Sequence, residues 1–498
     1  MDIEAKKLTP AASTEADAAL GFLASEGTAA FTEIDEKKLV RKIDWMIVPL
    51  MWAVYFLQYL DKILINYASV MGLLKDTGMQ TDQFSKLALA FYVSYLFFEF
   101  PTGYLMQRLP TAKYLGLNVA LWGLLTTLNC AAKNYAGLVV LRVLLGCFES
   151  AVAPAYVAIN LNACEHSDEY QTDFDYFHVP MRMGFWYLGT GTAAMVGALV
   201  AYGLLFYTGD RFRSWQIMFL IFGLITIAVG ICVIIFLPDN PMSSRLTHEE
   251  KLLAIERLRE NRTGIENKHF KMHQFAQVFK DPQTYFIAVI VTSMSISNAA
   301  ISSFSALIIK SFGFTTKETE LLTIPGGMVS VISILTGTYL AGRFDQRILS
   351  LIGILSCGLL GGCLMAFSHG GMQGAELTGS YLTNCVGAAL PLVYSIAGAN
   401  VAGHTKKVTM NAIVLMSFCL GNILGPLTFR TEDEPDYIPA KIAIVATVSV
   451  SIVFCVLLKC YYMWENRRRD MKSEEERPEN SDFLDLTDKE NPDFRYKH

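Results

Sequence analysis

GYLMQRLPTAKYL, residues 103–115, is a short turn between two apolar runs, and the second half of the chain repeats it as GTYLAGRFDQRIL, residues 337–349. With an offset of 235 positions, a Tyr-Leu pair coincides and Arg108 falls on Arg343. The match covers few residues, but each copy follows the second apolar run of its half. The repeat therefore indicates an internal duplication.

The composition around this repeat is that of a membrane protein. Of the 498 residues, 52% are apolar and only 17% are charged, which is too hydrophobic for an ordinary soluble protein. The formal net charge is -5 and no basic stripe is present, so we expect no nucleic-acid partner. The ten cysteines have no C-x-x-C spacing and no nearby histidines that could complete a zinc set, which predicts small buried side chains and no metal site.

Twelve stretches are long and apolar enough to cross a bilayer, since about 20 helical residues span roughly 30 Å. They lie near residues 45–70, 84–107, 113–132, 136–163, 183–207, 215–237, 284–310, 321–342, 348–368, 377–401, 408–429 and 439–463. The sequence predicts an all-α membrane protein of 12 transmembrane helices in two pseudo-symmetric six-helix bundles.

The predicted domains follow from these spans. They are an N-terminal tail 1–40, a bundle 41–237, a central loop 238–283, a bundle 284–464 and a C-terminal tail 465–498. Lysine and arginine gather in the loops of one side, so we expect that side, both tails and the central loop to be cytoplasmic. The acidic loop 165–180 is an exception to this charge pattern. We expect disordered tails, an unglycosylated Asn261 in the central loop, and a location in the plasma membrane or, alternatively, in an organelle.

The repeated turn has a structural interpretation. Gly103 would let helices approach closely, and Arg108 and Arg343 would meet the C-terminal carbonyl groups of a neighbouring helix. Glu99, just before Pro101, is assigned to the same cytoplasmic turn rather than to proton coupling. An ordinary Arg-rich turn without a special role is the alternative.

Two adjacent charges interrupt the first span. YFLQYLDKILIN, residues 55–66, contains Asp61 and Lys62, and each ionised side chain at a bilayer centre costs about 2.5–3.5 kcal/mol. Adjacent helical residues diverge by about 100°, so the two cannot simply neutralise each other and need partners elsewhere.

The fourth span supplies candidate partners. LRVLLGCFESAVAPA, residues 141–155, contains Arg142 and Glu149, which lie on one helical face about 10 Å apart along the axis. Gly146, between them, leaves room for a partner backbone or a substrate. We expect Asp61 to pair with Arg142, leaving Lys62 and Glu149 exposed to a cavity. A purely structural ion pair or polar contact is the alternative.

These motifs resemble known families. The two halves and their turn resemble the major facilitator superfamily, although Gln107 stands where its usual turn has an acid. The Asp-basic pair and the R-x-x-x-G-x-x-E pattern look like its anion:cation symporter branch. Four stretches are similar to the fungal allantoate permease group: FEFPTGYLMQRLPTAKYLG (98–116), GHTKKVTMNAIV (403–414), GNILGPLTFR (421–430) and DLTDKENPDFRY (485–496). The acidic loop 165–180 departs from that group.

The resemblance implies a central cavity and rocker-switch alternating access. It also implies that Asp61 and Glu149 bind the coupling proton while Arg142 and Lys62 bind the substrate anion. Other polar side chains that could contact substrate are Tyr59, Tyr95, Asn298, Tyr394, Asn400 and Asn422. Interhelical hydrogen bonding competes with that interpretation for the last four, and ordinary packing competes for the first two.

We therefore expect a monomeric, non-enzymatic secondary transporter that takes up a small organic anion, such as a carboxylate, ureide or carboxylate vitamin, with protons. Its partners are the anion and the lipid bilayer, and it needs no cofactor beyond the proton. A uniporter or exchanger of organic anions and a non-transporting nutrient receptor are the alternatives. Drug:proton antiport is disfavoured because the fifth span has no proline, and a membrane-embedded enzyme because all eight histidines lie in or near loops or tails.

Overall fold

A computed structural model of the chain describes residues 36–106, 109–152, 155, 184, 187–207, 209, 211–238, 246–247, 250–251, 271–368, 372–434, 436–471, 487–491 and 494–497. Within these ranges the regular structure is entirely helical, as expected for a chain whose backbone hydrogen bonds must be satisfied inside each membrane span. The predicted acidic loop and the sequon at Asn261 lie outside the described residues.

Each of the twelve predicted spans contains a helix in the described part of the chain, although the fourth and fifth spans also include residues outside it. In the first half they are α1 (Glu36–Ala68), α2 (Thr81–Met106), α3 (Thr111–Leu128), α4 (Tyr135–Glu149), α5 (Gly189–Leu204) and α6 (Ser214–Phe236). In the second half they are α7 (Met272–Lys280), α8 (Pro282–Ser311), α9 (Thr316–Phe344), α10 (Arg347–Phe367), α11 (Gln373–Thr383), α12 (Ala389–Asn400), α13 (His404–Leu424) and α14 (Ile438–Asp470). Helix α7 is a short additional helix, and α11 and α12 together form the tenth span through a 3₁₀ turn at Asn384–Ala388.

Small residues set the close approach of neighbouring helices. A Cβ atom on Gly116 of α3 would lie 2.9 Å from the backbone nitrogen of Ile234 in α6. Apolar side chains such as Leu117 and Leu224 remain exposed on the outside of the bundle, where lipid would cover them. Since lipid tails are as apolar as leucine, such close packing is what drives helices together in a membrane.

The two halves contact each other through α5 and α9. A Cβ atom on Gly191 would lie 2.7 Å from the carbonyl oxygen of Gly327, and one on Gly327 would lie 2.8 Å from that of Gly191. The glycines in the fifth span thus serve tight packing, as their small size predicts.

At the predicted extracellular end the halves are closed against each other by a set of contacts that we call the outer closure. Asn66 Nδ2 donates to Ser305 Oγ at 2.8 Å, and the Ala306 N–H donates to Asn66 Oδ1 at 3.2 Å. Beside them the rings of Phe304 and Phe429 stack with their centroids 4.0 Å apart, and the ring of Phe84 meets that of Phe304 edge to face. Ser85 Oγ donates to the Phe429 carbonyl at 3.2 Å, and Thr81 hydrogen-bonds Glu434.

At the predicted cytoplasmic end the C-terminal tail folds back onto the second half. Residues Thr487–Asn491 and Phe494–Lys497, which we call the tail clasp, bind the ends of α8, α12, α13 and α14. Asn400 exchanges two hydrogen bonds with the backbone of Lys497, and Asn466 exchanges two with that of Tyr496. The expectation of a disordered C-terminal tail is therefore wrong for this segment, because two side-chain amides bind its backbone much as a neighbouring strand would.

A buried charge cluster anchors the tail clasp. Lys406 Nζ lies 2.7 Å from Asp281 Oδ2 and 2.7 Å from Asp488 Oδ1. Tyr496 donates its hydroxyl to Asp488 Oδ2 at 2.7 Å and stacks on Tyr462 with ring centroids 4.9 Å apart. Burial and the neighbouring Asp488 carboxylate raise the pKa of the Tyr496 phenol above its usual range, so the phenol remains a neutral donor.

The repeated turn differs from its sequence interpretation. Arg108 lies outside the described residues, and Arg343 is exposed without a carbonyl partner among the described residues. Arg347, the first residue of α10, is the arginine that binds a neighbouring helix: its Nη1 donates to the Ser395 carbonyl at 2.9 Å. A Cβ atom on Gly103 would meet nothing within 4 Å, so the close approach predicted there is wrong.

Candidate functional site

Asp61 of α1 is buried against α3 in the first half. Its carboxyl is 2% exposed, and Oδ1 accepts a hydrogen bond from Thr126 Oγ1 at 3.1 Å. Oδ2 has no donor among the described residues, and the Glu149 carboxyl lies within interaction range. Two neighbouring carboxylates repel each other when both are ionised, so this arrangement is suited to hold a proton.

Lys62 binds the other acid. Its Nζ lies 3.8 Å from Glu149 Oε2, and Glu149 is 0% exposed. The ammonium also lies over two rings of α2, 5.7 Å from the centroid of Phe91 and 5.4 Å from that of Tyr95. At this separation the attraction is real but weak, and rings can only partly replace lost hydration, so a competing anion could replace Glu149 as the partner of Lys62.

Arg142 completes the group on α4. It is 3% exposed, and its Nε and Nη2 atoms have no acceptor among the described residues. Both acids act on it electrostatically. A buried guanidinium with unused donors is costly, and its planar fork matches the two oxygens of a carboxylate.

The pairing differs from the sequence expectation. The structure joins Lys62 to Glu149 and forms no Asp61–Arg142 contact within 4 Å. It also buries Glu149 rather than exposing it to a cavity. The reason is rotational: the direction in which each helix turns its charges depends on packing, and a Cβ atom on Gly146 would lie only 2.4 Å from the Phe91 carbonyl. Gly146 thus admits the backbone of α2, one of its two predicted roles.

A small cavity lies between the halves, below the outer closure. The volume open to the centre of a water molecule is about 20 Å³, enough for a water but not for a substrate. Tyr59, a predicted substrate contact, is among its lining residues, with Asn66, Tyr67, Ser302, Ser305 and Thr323.

The remaining predicted residues are scattered. Asn298 and Tyr394 are partly exposed on α8 and α12, and Glu99 is half-buried with one oxygen lacking a donor among the described residues. Asn400 is taken up by the tail clasp, since it binds Lys497. Asn422 donates to the Phe418 carbonyl of its own helix at 2.7 Å. The last two therefore fit the competing hydrogen-bonding interpretation, although neither bond joins two spans.

Sequence reasoning missed a further buried acid, on a helix of the second half. Glu320 of α9 is 0% exposed, and neither of its oxygens has a donor among the described residues. It lies one residue before the predicted eighth span, in KETELLTIPGG, so it was counted with the loop. An acid at the very edge of an apolar run was the available signal.

The arrangement of helices and the grouping of charges point to a transporter, and comparisons decide the family. The model of the Major Facilitator Superfamily matches residues 51–426. The chain belongs to the major facilitator superfamily. Within it, the chain is similar to an allantoate permease of Saccharomyces cerevisiae, 33% identical over 93% of this chain and 87% of the relative. A thiamine pathway transporter of the same organism is 37% identical over 92% of this chain and 86% of the relative.

A solved superfamily structure shares the fold. It is an inward-facing, unoccupied bacterial homologue of the human lysosomal transporter Spinster, with a TM-score of 0.61 and 15% identity. The match covers 84% of this chain and 96% of that one. The twelve-helix architecture expected from the sequence is thereby confirmed. The family members named here are transporters or permeases, and this chain is a multi-pass membrane transporter of the same type.

Proposed function

We propose that the chain is a proton-coupled symporter that takes up a small organic anion across the plasma membrane, with both termini in the cytoplasm. The observation that carries the proposal is the buried group of two acids and two cations, in which Arg142 keeps unused donors beside the Lys62–Glu149 pair. Protons from outside load Asp61 and Glu149. Loss of the Glu149 charge weakens its hold on Lys62, and both cations then bind a carboxylate.

The chemistry of the group favours an anion over a cation as cargo. Once the acids are neutral, the site carries two positive charges in a dry surrounding, where an anion is strongly attracted. The name of the allantoate permease relative agrees with a small anion, while the thiamine pathway relative shows that similar chains are named after different metabolites. We therefore propose the class of cargo, a carboxylate or ureide anion, and not one compound.

Replacing Glu149 by Gln tests the coupling. We expect Glu149→Gln to lose uphill accumulation while it still exchanges labelled for unlabelled substrate, because the glutamine amide cannot release a proton. Uptake of labelled carboxylates and ureides is measured in cells lacking their own permeases, at acidic and neutral external pH. The exposed Glu432→Gln serves as the control and should behave like the parent.

Three results would count against the proposal. Accumulation by Glu149→Gln at the parent level and with the parent's pH dependence would remove its coupling role. Uptake by the parent that is the same at both pH values would indicate a uniporter, and no uptake of any anion would leave the receptor alternative.

A further inference from the structure

Glu320 lies apart from the charge group already described. That group is built from α1, α3 and α4 of the first half, whereas Glu320 lies one turn into α9 of the second half. Its carboxyl is completely buried, and neither oxygen has a donor among the described residues. Burying a carboxyl group without a partner costs free energy, so an acid in such surroundings suggests a functional role.

The side chains around Glu320 offer it no counter-charge. The Tyr67 hydroxyl on α1 acts on it electrostatically but already donates to the Ala194 carbonyl at 2.9 Å. Helix α5, packed against α9, contains no acidic or basic residue. The other titratable groups on α9 and the helices packed against it at this end are Tyr202, Lys310, Lys317, Glu318, Glu376 and Tyr381. None of them forms an ion pair with Glu320 in the described part of the chain.

The position of Glu320 links the outer closure to the cavity. Thr323, one turn further along α9, lines the cavity together with Tyr67, and three helical residues span only about 4.5 Å. Asn66 and Ser305, which hydrogen-bond across the outer closure, line the same cavity. On the solvent side, Lys317 Nζ covers the Phe206 ring of the first half at 4.2 Å. Glu320 thus lies on α9 between two residues, Lys317 and Thr323, that face the first half.

In the closed conformation the buried Glu320 carboxyl is stable only in its neutral, protonated form. Taking an ionised carboxylate out of water without a partner costs several kcal/mol, while a neutral carboxyl costs much less. If the halves separate at this end, water reaches Glu320, and hydration lowers the free energy of its ionised form. A ligand that binds one of two conformations better shifts the equilibrium toward it, and here that ligand is the proton.

We propose that Glu320 is a proton-binding site that controls the outer closure: an external proton bound to its carboxylate lets the halves close, and its loss favours the open form. The proton comes from water at the extracellular side and forms an O–H bond with the carboxylate. It returns to water when the carboxyl is exposed again. The inference rests on the proposed function for its orientation and for the inward proton gradient.

The test measures opening directly and needs no substrate. Ser302, a small buried residue lining the cavity, is replaced by Cys, and a membrane-impermeant maleimide is added to intact cells. Modification of the introduced thiol is quantified by peptide mass spectrometry at acidic and neutral external pH. Each rate is divided by that of Ser302→Cys/Glu320→Gln at the same pH, which cancels the pH dependence of the thiol reaction.

In this test the parent is the Ser302→Cys protein. We expect it to be modified several-fold faster than Ser302→Cys/Glu320→Gln at neutral pH and at a similar rate at acidic pH. Glutamine imitates the protonated acid, so it should keep the outer closure shut at both pH values. Glu320→Asp should retain the response, because it restores the acid. The matched control Glu318→Gln, which removes an exposed acid of the same helix, should behave like the parent.

Equal rates for the parent and Glu320→Gln at both pH values would overturn the proposal. So would a complete lack of modification in every variant, because Ser302 would then never face the outside. The outcome is independent of cargo: if Glu149→Gln still accumulates substrate but Glu320→Gln abolishes the pH response, the symport proposal fails and the gating proposal stands.

Discussion

Lys406 shows what a buried charge requires of its surroundings. It is 0% exposed and is neutralised by Asp281 from the start of α8 and by Asp488 from the tail clasp. Gln283 Nε2 also donates to both aspartates, at 2.7 Å and 3.3 Å. Every one of these groups has a partner, which is the condition under which a buried ionic cluster is tolerated.

Removing the Lys406 ammonium should therefore lower the stability of the protein far more than removing a lysine at the surface. We expect Lys406→Met to destabilise the protein by about 3–5 kcal/mol. The buried Asp488 then loses its paired cation, and the buried Asp281 keeps only the longer contact with Lys489, at 3.9 Å. Lys42→Met removes the half-exposed partner of Glu250 and should cost about 0–1 kcal/mol. Thermal unfolding of the detergent-solubilised proteins compares them, and equal losses would contradict the role of the cluster.

At the scale of the secondary-structure element, the close approach of α2 and α4 determines where charged side chains lie. Gly146 brings the two helices together, since a Cβ atom there would lie 2.1 Å from Ser94 Oγ and 2.4 Å from the Phe91 carbonyl. Arg142 and Glu149 flank this contact on the same helix. The packing of α4 and the orientation of its charges are therefore linked.

Gly146→Ala should disturb both the packing of α4 and the orientation of its charged side chains. We expect an overpacking cost of about 1–3 kcal/mol and, because α4 is pushed away from α2, a higher KM for the transported anion. Gly103→Ala on α2 adds the same methyl group where nothing lies within 4 Å, so its stability and KM should match the parent. A normal KM in a stable Gly146→Ala protein would show that the contact does not position the charges.

The sequence predicted elements better than contacts. Span number and the duplicated halves follow from hydropathy and from a repeat that survives in a turn. The pairing of Lys62 with Glu149 instead of Asp61 with Arg142 depends on helix rotation, which no periodicity within one helix reveals. The contact of Asn400 with the tail clasp could not be predicted for a related reason. Its partner Lys497 lies 97 residues away in the chain, and a polar tail carries no apolar pattern to show that it docks.

At the scale of the whole molecule, the two halves meet at the outer closure and along the glycine contact of α5 and α9. The first is made of side-chain contacts, whereas the second is a close approach of two backbones at Gly191 and Gly327. With the outer closure shut and only a small cavity behind it, this conformation does not admit substrate from the side of the outer closure.

Weakening the outer closure should change the balance of conformations. Asn66→Ala removes two hydrogen bonds between the halves, at about 0.5–1.5 kcal/mol each. We expect a roughly 5- to 150-fold shift toward the open form, read as faster maleimide modification of the thiol introduced by Ser302→Cys. Asn118→Ala, which removes a bond within α3, is the control, and an unchanged rate in Asn66→Ala would argue against this role.

The outer closure also determines how the protein responds to ionic strength. Its inner layer consists of three phenylalanine rings and the uncharged amide of Asn66, and such contacts are not screened by dissolved ions. Screening acts on exposed charges over about 8–10 Å at ordinary salt concentrations. Added salt should therefore slow the arrival of an anion at the open site while leaving the rate at which the outer end opens and closes nearly unchanged.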